Sequence, residues 1–127
     1  MSKQHLNPIG MHIPNGYSHV VKTGDTIYLA GQVSIAPDGS VVGVDNPAAQ
    51  AEQIYQNLQN ALASVGATLS DVVKTTTYII KPDYVDAVRE SRLRYFHENP
   101  PTSTLLVISG LARPEFLMEV EAIAYVG

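Results

Sequence analysis

The sequence predicts an α+β fold, a mixed β-sheet with two helices on one face. Three observations carry this expectation. Short runs rich in β-branched residues alternate with two segments of helical periodicity, the closing stretch FLMEVEAIAYVG reads as a strand with one apolar face, and no repeat, low-complexity tract or linker interrupts the 127 residues. A chain of this length fits a single domain, residues 1–127, and can bury a core without a staple.

The elements follow in order. His19–Lys22 and Thr26–Ala30 are β-rich runs separated by Thr23-Gly24-Asp25, so a hairpin is expected to open the domain. Asp38-Gly39 marks a second turn between Val33-Ser34-Ile35 and Val41-Val42. The first helix has Asn46 as N-cap, Pro47 at its first position and Gly66 as its left-handed stop. Its apolar face is Ala51, Ile54, Leu58, Ala61, Leu62 and Val65. Asp71–Ile80 reads as a long strand that Pro82 ends. From Asp83 to His97 the positions Tyr84, Val85, Val88, Tyr95 and Phe96 recur at helical spacing, leaving Arg89, Arg92 and Arg94 for the surface. Asn99-Pro100-Pro101 stops that helix; Ser103–Ile108 is a strand, 110–115 a loop, and Leu117–Tyr125 the last strand. The expected order is β-β-α-β-α-β-β.

The last strand poses a chemical question. Met118, Val120, Ala122, Ala124 and Val126 line one face as core, while Glu119 and Glu121 share the other with Ile123 and Tyr125. Two readings are open. The acids are solvated, or paired to Lys74 or an arginine; or one of them is a general acid/base in a cleft, tuned by burial. Spacing does not choose between them, nor say which acid faces the cleft.

Composition excludes several classes. There is no cysteine, which removes thiolate catalysis and Cys-ligated zinc and is compatible with a reducing, cytoplasmic setting. No apolar run reaches signal-peptide length or the roughly 18 residues of a membrane span. With a net charge of −4 and scattered basic residues, apart from the Arg89, Arg92, Arg94 cluster, a nucleic-acid footprint is not expected. His5, His12 and His19 lie seven apart in a segment broken by Pro8, Gly10 and Pro14, so no metal site is expected. Phosphate-binding glycine loops and a serine-hydrolase elbow are missing. A small, neutral or anionic ligand is the easier partner.

GDTIYLAGQVSI (24–35), DVVKTTTYI (71–79), MEVEAIAYV (118–126), Gly16-Tyr17 and PPTST (100–104) occur in order along nearly the whole chain. Together they resemble the Rid family, also called YjgF or RidA, of enamine/imine deaminases. The resemblance implies a chorismate-mutase-like fold assembled as a homotrimer with clefts between subunits. It also implies hydrolysis of reactive 2-imino acids to 2-keto acids and ammonia, with no metal or organic cofactor.

By the same resemblance, Glu119 is the carboxylate that positions the attacking water and Tyr17 the tyrosine that closes the pocket. Gly31 is the backbone position beside the ligand, and Ser103 and Thr104 offer backbone N–H groups to the substrate carboxylate. One position departs from the pattern. Thr102 stands where deaminating members carry an arginine whose planar fork grips that carboxylate. Three outcomes are open: Arg113 or Arg89 substitutes, the substrate lacks a carboxylate there, or the protein binds a small molecule without turning it over. A ribonuclease or translation-inhibitor role, attached to some relatives, is disfavoured by the charge pattern.

Overall fold

The computed structural model describes residues 2–127. The elements are β1 (Lys3–Leu6), β2 (Val20–Thr23), β3 (Thr26–Gln32), α1 (Pro47–Ala63), β4 (Val72–Ile79), α2 (Val85–Tyr95), β5 (Thr102–Val107) and β6 (Met118–Tyr125). They form one six-stranded sheet in the order β1-β2-β3-β6-β4-β5. Neighbours are antiparallel except β4 and β5, whose parallel pairing α2 makes possible by crossing between them. The sheet is therefore mixed, and the fold α+β.

The turn at Gly24, with φ 57°, closes the β2–β3 hairpin as expected. The chain does not open with that hairpin, however. β1 precedes it and pairs Lys3–Leu6 with Thr23–Val20. The segment KQHL carries a single apolar residue, Leu6, which packs against the core, and no alternation marks it as a strand. Around Asp38-Gly39 an isolated bridge joins Ile35 to Val41.

In α1 the Asn46 side chain accepts from the Ala49 N–H at 3.1 Å, with Pro47 at the first helical position. Gly66, at φ 72°, lets the Ala67 N–H return to the Leu62 carbonyl at 3.0 Å. Two boundaries shift inward. Asp71 closes a 3-10 turn (Leu69–Asp71), its carboxylate accepting from the Thr68 N–H, and β4 begins at Val72. Pro82–Tyr84 is likewise a 3-10 turn, so α2 starts at Val85.

The core lies between the helices and one sheet face. Ile54, Leu58, Ala61 and Leu62 of α1 meet Ile27, Leu29, Met118, Val120, Ala122 and Ala124 of the central strands. Val126 departs from its expected place: it lies past β6, is 36% exposed, and bonds its N–H to the Asp25 carbonyl. The other sheet face carries no helix and leaves Tyr28 and Tyr125 about half exposed. The edge strand β5 is exposed at most positions, Leu106 and Val107 included. Among the described residues no helix is long and apolar enough to cross a membrane.

Candidate active site

Strand pairing between β3 and β6 sets the site. Leu29 faces Ala122 and Gln32 faces Val120, so Ala30 and Gly31 together oppose the single residue Glu121. This is a β-bulge, a device that bends a strand and re-aims side chains. The space that a side chain at residue 31 would occupy holds the Glu119 carboxylate. A Cβ built there would stand 2.8 Å from its carboxyl carbon and closer still to one oxygen. Gly31 thus leaves the Glu119 carboxylate free to occupy this place.

The two acids of β6 part company here. Glu121 is exposed and accepts a 2.7 Å hydrogen bond from the Tyr78 hydroxyl, its diagonal neighbour on β4. Neither Lys74 nor an arginine pairs with it. Glu119 is half-buried, and burial together with the nearby Glu121 charge raises its pKa above the ordinary glutamate value. Of the two readings left by the sequence, burial in a cleft describes Glu119 and surface pairing describes Glu121.

The cleft above Glu119 has a volume of about 730 Å³, with Tyr17, Gly31, His12, Arg113 and Phe116 in its walls. Tyr17 lies on the loop before β2. Burial, and then the negative field of Glu119, push its phenol pKa up, so it stays protonated and able to donate. Its hydroxyl is 3.5 Å from His12 Nε2. The His12 imidazole is held neutral by burial and by the adjacent His19, its pKa lowered. The His12 and His19 rings meet edge to face at 4.7 Å, and His19 is fully buried between the His12 carbonyl (2.8 Å) and Gln32 Nε2 (3.1 Å).

Arg113 also lines the cleft, bonded to Glu115 Oε2 at 3.0 Å and lying over the Phe116 ring at 5.4 Å. The loop that bears it is tied to α1 by the buried Gln50. That amide donates to the Gly43 and Glu115 carbonyls (3.0 and 2.9 Å) and accepts from the Leu117 N–H (3.0 Å).

Glu119, Tyr17 and Gly31 therefore converge in one cleft, with Arg113 beside them. Thr102, Ser103 and Thr104 do not line it within the chain; they begin β5, on the far side of β4. The Thr102 hydroxyl donates to the Val73 carbonyl at 3.1 Å, where β4 is irregular between Val72 and Lys74. Ser103 accepts from Arg92 at 2.9 Å, and Arg89 lines a separate crease with them. His12 is a wall residue that sequence reasoning weighed only as a metal ligand. Its place comes from the fold-back of residues 7–19, where Asn7 Oδ1 accepts from the His19 N–H at 2.9 Å, and no spacing rule encodes that contact. Among the described residues no group of three or more His, Asp or Glu is gathered as a metal site.

Comparison with known proteins agrees with this fold. A sequence model of the family described as Endoribonuclease L-PSP matches residues 11–126. A RutC family protein of Pyrococcus abyssi is 33% identical, over 86% of this chain and 85% of that one. The human 2-iminobutanoate/2-iminopropanoate deaminase is 29% identical over 87% of this chain and 80% of its own. The crystal structure of RidA from the Antarctic bacterium Psychrobacter superposes with a TM-score of 0.90 at 25% identity, covering 97% of this chain and 99% of that one. With a family match spanning nearly all of its residues, the chain belongs to the Endoribonuclease L-PSP family, the Rid (YjgF/RidA) family that its sequence resembles.

Proposed function

We propose that this protein hydrolyses the C=N bond of a small reactive imine, releasing a carbonyl product and ammonia without metal or organic cofactor. The observation that carries the reading is Glu119, a half-buried carboxylate of raised pKa seated against Gly31 and facing a cleft with Tyr17. A protonated imine is already electrophilic. A held water and a carboxylate to take its proton are sufficient. Glu119 accepts a proton as the water oxygen bonds to the imine carbon. Glu119 then returns that proton to the nitrogen of the carbinolamine, and as the C–N bond breaks with its electron pair leaving on nitrogen, the hydroxyl proton passes back to Glu119 and the carbonyl and ammonia leave. Tyr17, kept protonated, donates a hydrogen bond to the polar end of the substrate. The name of the human relative, a 2-iminobutanoate/2-iminopropanoate deaminase, supports 2-imino acids as first substrates.

Assembly as a homotrimer in the cytoplasm belongs to the same proposal. Its support is the helix-free sheet face and the exposed apolar residues of β4 and β5, Val73, Leu106 and Val107. A second copy there also gives Thr102, Ser103 and Thr104 a route to a cleft that their own chain does not offer. Sedimentation should return three times the chain mass; a monomer at micromolar concentration contradicts it.

Phosphodiester cleavage by a histidine pair fits less well. His12 and His19 are adjacent, but His19 is fully buried with both ring nitrogens engaged, so substrate meets only one imidazole.

The test is ammonia and keto-acid release from freshly generated 2-aminoacrylate and 2-iminobutyrate, for this protein and its Thr102→Arg variant. Turnover by the unaltered chain is expected. Absence of turnover in both proteins contradicts the reading. Silence in the unaltered chain with activity gained in Thr102→Arg keeps a hydrolytic cleft but assigns it a different substrate.

Gly31→Ala gives a sharper local check. The added methyl meets the flexible end of Glu119, so the carboxylate turns aside at little structural cost. Turnover should fall at least about tenfold, while a thermal melt changes by less than about 1 kcal/mol.

A further inference from the structure

We propose that the crease between α2 and the start of β5 is a carboxylate-binding site in which Arg92 and Arg89 supply the positive charge. The inference rests on the deaminase reading for the identity of the acid, but its geometry is independent of Glu119.

The chain has four arginines, and the fold divides them into two pairs. Arg94 is matched to Glu52 and Arg113 to Glu115, each at 3.0 Å. Arg89 and Arg92 have no carboxylate partner among the described residues, and both line one crease of about 400 Å³. Three residues apart on α2, they lie on the same helical face. Arg94 turns instead toward α1, where Glu52 also accepts from the Tyr95 hydroxyl and Tyr95 stacks on Tyr55 with ring centroids 4.9 Å apart. That contact fixes the rotation of α2 and leaves the unpaired arginines facing β5.

Ser103 completes the polar end. Arg92 Nη1 donates to its hydroxyl oxygen at 2.9 Å, so the hydroxyl proton is free for an incoming acceptor. Phe96, Pro100 and Pro101 form the apolar walls. Two guanidinium forks and a hydroxyl at one end of a narrow apolar crease suit a carboxylate on a body of a few carbons. Ser103 and Leu105 share the helix-facing side of β5, so the crease lies on the opposite sheet face from the Thr102 side chain.

The experiment titrates 2-oxobutyrate, a stable keto acid, into the full-length protein and follows backbone amide shifts. The same titration is run on Arg92→Gln, Arg89→Gln and Arg94→Gln, with 2-butanone and inorganic phosphate as contrasting probes. Shifts centred on α2 and 101–104, weakened about 10- to 100-fold in Arg92→Gln and in Arg89→Gln and unchanged in Arg94→Gln, are expected. Binding of 2-butanone as tight as that of 2-oxobutyrate, binding unchanged in Arg92→Gln, or preferred binding of phosphate overturns the site. Turnover on 2-iminobutyrate is measured in parallel. Keto-acid binding lost in Arg92→Gln in a protein that never turns over imines keeps this site and rejects the hydrolase. Intact turnover and intact binding in Arg92→Gln do the reverse.

Discussion

Glu119→Gln should lose about 10²- to 10⁴-fold in turnover on 2-iminobutyrate and melt at or slightly above the temperature of the unaltered protein. The amide fills the same space against Gly31 but takes no proton from water. The direction of the stability effect follows from linkage. A carboxyl whose pKa is raised by folding contributes stability below its unfolded pKa and loses that contribution as pH rises through the folded value. At neutral pH the ionised Glu119 is therefore a burden on the fold, held close to Glu121. Removing its charge relieves that burden. A structural carboxylate would behave oppositely, with stability lost and activity spared. Kinetics on generated imine beside a thermal melt at pH 7 separate the two.

Gln50→Leu should cost about 3–5 kcal/mol of folding stability, enough to lower the denaturation midpoint clearly. Gln50 is fully buried, and its amide satisfies three backbone groups, the carbonyls of Gly43 and Glu115 and the N–H of Leu117. Leucine of similar volume leaves the Glu115 carbonyl and the buried Leu117 N–H without that partner, each costing about 1–3 kcal/mol less whatever relaxation recovers, while the Gly43 carbonyl keeps the Asn46 N–H at 2.9 Å. The same bonds hold the loop carrying Arg113 and Phe116, so the cleft wall should loosen before the sheet does. Urea unfolding measures the first effect. Amide exchange at 111–117 that is faster than at β4 measures the second. Unchanged exchange there would mean that Gln50 serves the core without serving the cleft.

Much of the fold was legible because it rests on local chemistry. Asn46, Pro47 and Gly66 bracket α1 through capping and backbone preference, and each acts within a turn of its own position. Alternation in β6 separated Glu119 and Glu121 from the core face without any knowledge of the sheet. β1 was not legible, since KQHL has one apolar residue and its pairing with β2 depends on backbone hydrogen bonds that any sequence can make. Val126 was misplaced because alternation continues past the point where β6 ends.

The site was legible only in part, for a different reason. Which of two acids is buried depends on the β3 bulge, a register shift that sequence alternation does not record. His12 enters the wall through a loop that folds back over many residues. Arg89, Arg92 and Arg94 form one basic cluster in the sequence, yet helical phase directs Arg94 to Glu52 and leaves the other two facing Ser103. Such distinctions are tertiary. They depend on what lies across from a residue, and the chain supplies that from a distance.

The most direct test of the central claim is the pH dependence of kcat/KM for 2-iminobutyrate hydrolysis. If Glu119 is the base, activity must fall as pH drops through its folded pKa, which burial and Glu121 raise above the ordinary 4.5. The expected result is an acid limb displaced above that value in the unaltered protein, and absent from the residual rate of Glu119→Gln. A profile that stays flat through the acid range, or the same limb persisting in Glu119→Gln, would show that Glu119 does not carry the proton.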